Sequence, residues 1–229
     1  MGALKTDWDA YYDKPGRFTR FTRRITTRKL LDCLRRHDGP LAEARLVEFG
    51  GANSCFHDAV RDAFGPAAYD ILDSNRAGLE LFAAHHPDLE QTRLFERDVR
   101  EAYPEGAAAD ADVCFSVGLI EHFDATGTAE VIRCHFRAVR DGGLVILFFP
   151  TPTWLYRAIR GAAEALGIWA FPDERPLAMA EVVHEAELHG RVIFTDVNWS
   201  IGLTQGIVVT RVEHRPLGRS GILGESNGS

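Results

Sequence analysis

Two β-rich runs close this chain, at 191–197 and 206–212, and only the eight residues NWSIGLTQ separate them. No crossover helix fits in so short a gap, so the pair has to form an antiparallel hairpin. Upstream, five apolar runs alternate with helical patterns, which is the signature of repeated β-α units and a parallel sheet covered by helices. Together these point to an α/β fold: a three-layer sandwich whose seven-stranded, mostly parallel sheet ends in an antiparallel C-terminal hairpin.

The upstream strands are expected at 46–49, 68–72, 92–96, 112–117 and 144–149, the last a continuous apolar run of the kind buried on both faces. Helical patterns lie between them at 57–64, 76–85 and 129–139, with Asp141-Gly142-Gly143 reading as the stop of the third. After Pro150 the alternation breaks. The stretch 151–178 carries three prolines and two tryptophans and reads as a substrate-side insertion with a short helix at 155–166, followed by a helix at 179–189. Ahead of the sheet, RFTRFTRRITTRKLLDCLRR at 17–36 spaces Phe18, Phe21, Ile25, Leu31 and Leu34 as one face of a basic amphipathic helix docked on the domain. One domain over 1–215 is expected, with a polar, glycine-rich tail at 216–229 read as disordered.

Length and composition fit this plan: 229 residues at 45% hydrophobic supply one sizeable core. A net charge of -7 speaks against a general nucleic-acid binder, which needs a basic surface. No apolar run is long enough to cross a bilayer, and the first residues lack the apolar core of a secretory signal, so a cytoplasmic protein off the membrane is expected. Cys33, Cys55, Cys114 and Cys134 form no C-x-x-C pair and read as buried reduced thiols. His184 to His189 misses the H-E-x-x-H zinc pattern by one residue, which takes the two rings off one helical face, so no metal is expected.

Open parallel sheets bind ligands at the carboxyl ends of their strands. At those ends stand Glu48 to Asn53, Asp73, Asp98 and Ser116 to His122. Gly50, Gly51 and Ala52 keep bulk away from a backbone that could approach a ligand closely. An acid after the second strand suits a ribose, since one carboxylate accepts from both hydroxyls. A dinucleotide fingerprint would need glycine where Ala52 and Cys55 stand, so a nucleoside without phosphates is the better ligand.

The segments VEFGGANS, DILDSNRAGLELF, FERDV, DVCFSVGLIEHF and DGGLVILFFP, in this order, resemble the class I S-adenosylmethionine-dependent methyltransferases over about residues 40 to 213. The resemblance implies a Rossmann-like fold, S-adenosylmethionine as cofactor and S-adenosylhomocysteine as product. Glu48, Gly50, Gly51, Ala52 and Asn53 would form the loop at the methionine portion, with Ala52 and Ser54 standing in place of two family glycines. Asp73, with Ser74 beside it, would hold the ribose, Asp98 and the Val99 backbone the adenine, and Ser116, Val117 and Gly118 the methionyl end.

Methyl transfer from a sulfonium is an in-line displacement in which the protein mainly positions the reactants. A hydroxyl or weakly acidic N–H acceptor must also lose a proton, and His122, with Glu121 second, is the candidate base. Aromatic residues before the basic helix (Trp8, Tyr11, Tyr12) and in the insertion (Trp154, Tyr156, Trp169) are candidates for a substrate pocket. The expected acceptor is an oxygen or nitrogen of a small organic molecule, handled by a monomer or homodimer. The alternatives are a protein or RNA methyltransferase, resting on the basic 17–36 helix, and a non-catalytic nucleoside-binding scaffold.

Overall fold

The computed structural model describes Thr6, Trp8 and residues 17–103, 110–202 and 204–213, with side chains in the first helix from residue 22 onward. Helix α1 (Arg17–Leu34) leads into β1 (Arg45–Phe49), α2 (His57–Phe64), β2 (Ala68–Asp73), α3 (Arg76–His85), β3 (Thr92–Glu96) and a single turn, α4 (Val99–Ala102). Then come β4 (Ala111–Val117), α5 (Ala125–Ala138), β5 (Val139–Pro150), α6 (Trp154–Ala165), α7 (Met179–Glu187), β6 (Gly190–Asn198) and β7 (Gln205–Val212). The seven strands lie in the order β3-β2-β1-β4-β5-β7-β6. Neighbours from β3 to β5 pair in parallel, whereas β7 runs antiparallel to both β5 and β6.

Side chains on a strand alternate between faces, so each apolar strand feeds two cores. Val47, Phe49, Cys114, Val145 and Leu147 pack on the side of α5 and α7, with Val131, Ile132 and Val182. Leu46, Ile71, Phe115, Ile146 and Val209 face the other way, onto α1, α2 and α3 through Leu30, Leu34, Val60, Leu79 and Phe82. This is the three-layer arrangement expected from the pattern.

The basic helix docks as expected but ends at Leu34, and its buried side chains are Thr26, Leu30, Cys33 and Leu34, with Ile25 and Leu31 half-buried. Lys29 pairs with Asp196 at 2.7 Å, and the Arg36 guanidinium lies 3.7 Å from the centre of the Phe194 ring. Phe18 and Phe21 lie outside the described side chains.

Several other boundaries differ from the sequence expectation, three of them instructively. Helix α5 starts at Ala125, a turn early, because the Asp124 carboxylate accepts from the Gly127 N–H at 2.8 Å and caps a Thr- and Gly-rich turn of poor intrinsic helicity. Asp141-Gly142-Gly143 stops no helix. It lies inside β5, where the register jumps from Val139 opposite Ala111 to Leu144 opposite Val113, and Gly142 takes a φ of 78°. Helix α7 ends at Glu187, before the expected His189. Of the cysteines, Cys33, Cys114 and Cys134 are buried, but Cys55 is exposed just beyond the loop after β1, and all four are free. The expected tail, 216–229, lies outside the described residues.

Candidate functional site

Register places the expected site residues side by side. Phe49 is opposite Leu72 on β2 and Ser116 on β4, so the loop after β1 leaves the sheet between Asp73 and the turn that follows Ser116. The Gly50 N–H continues the ladder to the Leu72 carbonyl at 2.8 Å, and the Gly118 N–H does so to Phe148 at 3.0 Å. Gly50 has φ 72°, and a Cβ there would stand 3.0 Å from Leu119. At Gly51 a Cβ would meet the Glu48 carboxyl carbon at 2.7 Å. Glycine is thus needed at both positions.

Glu48 takes no outward position. Its buried carboxylate turns beneath the loop and accepts from the Tyr69 hydroxyl at 2.7 Å and from Ser54 Oγ at 2.8 Å. Burial pushes its carboxyl up to about 7 in spite of those two hydrogen bonds, with Asp73 adding to the rise. Ser54, one of the two departures from glycine, also accepts the N–H groups of Phe56 and His57 at 3.2 Å each. Its hydroxyl therefore binds the loop to α2 and to Glu48. The other departure, Ala52, is fully buried and donates its N–H to Asp73 at 3.0 Å. Asn53 is half-buried.

Asp73 also accepts from the Asn75 N–H at 2.7 Å. Burial raises its carboxyl, while the N–H groups of Asn75, Ala52 and the exposed Ser74 counter the rise. Asp98 is tied to its own turn, accepting from the Arg100 N–H at 2.9 Å and its guanidinium at 3.0 Å, and the Arg100 hydrogen bonds hold its carboxyl below the usual range. Val99 is buried beside it. Ser116 is fully buried and its Oγ is without a hydrogen-bond partner; Val117 and Gly118 are half-buried beyond it.

Beyond β4, a 3₁₀ turn at Ile120–His122 carries the two candidate bases. Glu121 is buried, one carboxyl oxygen unpartnered, and the other lies 3.4 Å from where a Cβ on Gly118 would be. Burial, reinforced by Glu174 and Asp173, holds its carboxyl well above the usual range. His122 differs. Its Nδ1 faces Asp173 at 3.2 Å, and Trp8 meets its ring edge-on at 4.9 Å, with Phe171 at 6.2 Å. Burial lowers its pKa against the opposing pull of Asp173, leaving the ring neutral near pH 7. Burial would raise Asp173 in turn, but the Thr6 hydroxyl and His122 outweigh it and keep the carboxylate ionised. An N-terminal segment and the insertion thus meet over His122.

Sequence reasoning missed Asp173, which pairs with a residue 51 positions away and has no local signature. The insertion's aromatics divide. Tyr156 is buried and donates its hydroxyl to Glu174, with Arg160 bonded to the same oxygen at 3.1 Å. Trp154 is 73% exposed on the first turn of α6. Tyr11 and Tyr12 lie outside the described residues.

No protein-family model matches the chain, and no curated protein matches it in sequence. Solved structures do match. Magnesium protoporphyrin IX methyltransferase (ChlM) from Synechocystis PCC 6803 with bound SAH superposes at TM-score 0.63 and 12% identity, over 86% of this chain and 84% of that one. N-methyltransferase NodS from Bradyrhizobium japonicum WM9, also with S-adenosyl-L-homocysteine, gives TM-score 0.63 at 12% identity over 89% and 92%. The fold is that of the class I S-adenosylmethionine-dependent methyltransferases. An O-methyltransferase family protein from Burkholderia thailandensis is similar at TM-score 0.61 and 17% identity, over 86% of this chain and 63% of that one. Among the described residues no helix is long and apolar enough to cross a membrane.

Proposed function

We propose that this chain is an S-adenosylmethionine-dependent methyltransferase that acts on an oxygen or nitrogen of a small organic molecule, with His122 as general base. The observation that carries the reading is the pairing of a neutral, largely covered His122 with an ionised Asp173, on the turn that follows the Ser116–Gly118 strand end. With Nδ1–H donated to Asp173, Nε2 is the basic nitrogen and the ring is held in one orientation.

The cofactor would supply an activated methyl group; the residues of this chain would place it. The loop from Gly50 to Asn53 offers backbone to the methionine portion, Asp73 offers carboxylate oxygens to the ribose hydroxyls, and Asp98 and Val99 flank the adenine end. Ser116 Oγ and the Glu121 carboxyl, buried and unpartnered, fit a polar ligand group that arrives beside Gly118. Asp98 would have to share its carboxylate with Arg100 to reach an adenine amino group. Trp8 and Phe171 cover His122 and would keep water from the reacting atoms. The roof is small and aromatic, which favours a small organic acceptor over a polymer. Four free cysteines fit a reducing cytoplasm, and a monomer or homodimer fits the reading equally.

Methyl-labelled cofactor incubated with the protein and a metabolite extract, in parallel with a protein and an RNA fraction, tests this. Label is expected in the small-molecule fraction, and its loss in His122→Ala. Label in protein or RNA alone would reject the small-molecule reading, and no transfer to any fraction would reject the enzyme.

A further inference from the structure

Away from this site, on the far side of the β1 loop, the start of α2 and the end of α3 bring two histidines and a carboxylate together. His57 opens α2, Asp58 follows it, and His86 stands just past the last residue of α3. His57 Nδ1 is 2.9 Å and His86 Nε2 is 3.0 Å from the same oxygen of Asp58, and the three ligand atoms lie within 4.8 Å of one another. The remaining ring nitrogens are engaged behind them: His86 Nδ1 with the Phe82 carbonyl at 2.9 Å, His57 Nε2 with Thr92 Oγ1 at 3.0 Å.

A carbonyl only accepts, so His86 Nδ1 carries the hydrogen. Nε2 is then aimed at the Asp58 oxygen, on which His57 Nδ1 also converges, so two imidazole nitrogens and one carboxylate share a single focus. The rings are also fixed in direction. His86 stacks on Phe82 at 4.1 Å and 22°, and His57 stands edge-on to Phe82 and to Tyr69 at 5.0 Å each. Histidines that bind metals characteristically donate their second nitrogen to a carbonyl or similar acceptor, as His86 does here.

We infer that His57, Asp58 and His86 bind a divalent transition metal, zinc by preference, at a three-ligand site whose fourth position is open to water. Ligands at roughly 2.0 Å from a tetrahedral zinc stand about 3.3 Å apart, so the two contacts to Asp58, at 2.9 and 3.0 Å, would widen by a few tenths of an ångström while the two ring nitrogens, within 4.8 Å, settle to the same separation. Asp58, 71% exposed, is free to make that adjustment. Imidazole and carboxylate donors without a thiolate suit zinc and its neighbours better than calcium or magnesium. The ion would clamp α2 to α3 behind the β1 loop, since the His57 N–H bonds Ser54 Oγ and its ring abuts Tyr69, which holds Glu48. Its role is structural, at a distance from His122.

Chelator-stripped full chain, titrated with zinc against a chromophoric chelator and followed in parallel by thermal shift, tests the site. Wild type is expected to take up one equivalent and to melt higher when loaded. Asp58→Asn, a surface change that leaves the fold intact, and His86→Gln should each weaken uptake by about tenfold or more and lose the melting shift. Cobalt in place of zinc should give the visible absorption of a tetrahedral ion in wild type alone. Uptake no tighter in wild type than in the two variants would overturn the proposal, whatever the source of the residual binding. None of these readings involves methyl transfer, so failure here and failure of the proposed function are distinct.

Discussion

His122 is useful as a proton acceptor only while neutral, and burial is what makes it so. Because its pKa lies below the ordinary value near 6.5, kcat/KM should hold level from pH 8 down to about 6.5 and fall below it. His122→Ala is expected to lower kcat/KM by roughly 10²-fold or more and to remove this acid limb, with affinity for the cofactor unchanged. Steady-state rates between pH 5 and 9 check both. Glu48 makes a separate claim about stability. Its folded carboxyl rises from 4.5 to about 7, so the contribution of its bound proton is complete below 4.5 and is lost as pH climbs through 7, about 3 kcal/mol in all. Glu48→Gln keeps an acceptor for Tyr69 and Ser54 without titrating, and should flatten that slope in urea melts between pH 5 and 9. Parallel slopes in the two proteins would show that Glu48 is not the group responsible. Glu48 also marks a limit of reading sequence: its place in the loop pattern was legible, but not that its side chain turns inward.

The insertion acts as an element by holding Asp173 against a turn from the other side of the sequence. Tyr156, Arg160 and Glu174 fasten α6 to the segment that carries Asp173, and Arg175 ties the same segment to Thr128 at 3.0 Å and Glu181 at 2.7 Å. Asp173 supports the protonated imidazole, so Asp173→Asn should move the acid limb of kcat/KM to lower pH and reduce kcat, while cofactor binding stays put. A limb that does not move would leave Asp173 a purely structural residue. Within the sheet, Asp70, buried on β2, accepts Arg45 at 2.8 Å and Arg93 at 2.7 Å. Asp70→Ala removes the acceptor the two arginines share, but Arg45 keeps Asp110 and Arg93 reaches solvent, so the cost in a urea melt should be about 2 kcal/mol. Strands were the legible elements, because alternation and apolar runs survive in a local window: 92–96 is the observed β3. Helix starts were less so. The first turn of α5 depends on the Asp124 cap, and the glycines at 142 and 143 serve a bulge instead of a helix stop.

At the level of the whole molecule, the order β3-β2-β1-β4-β5-β7-β6 does what no single motif can. It puts the loop after β1 between Asp73 and the Ser116 turn, with Leu119 of that turn against Gly50, and His122 further along meets Asp173 and Phe171 of the insertion. The reversed β7 was deducible from the eight-residue gap, and the sheet from the alternation, so the architecture was legible in the sequence. The contact of Trp8 and Thr6 with the insertion was not, since nothing local relates residues so far apart. Calorimetric titration of the full chain with S-adenosylhomocysteine bears most directly on the cofactor assignment. Stoichiometric binding is expected in wild type, with Asp73→Ala weaker by about tenfold to 100-fold for the loss of charge-assisted hydrogen bonds to the ribose. Absence of binding in wild type, or an Asp73→Ala protein that binds as tightly, would show that the loop and Asp73 serve some other ligand.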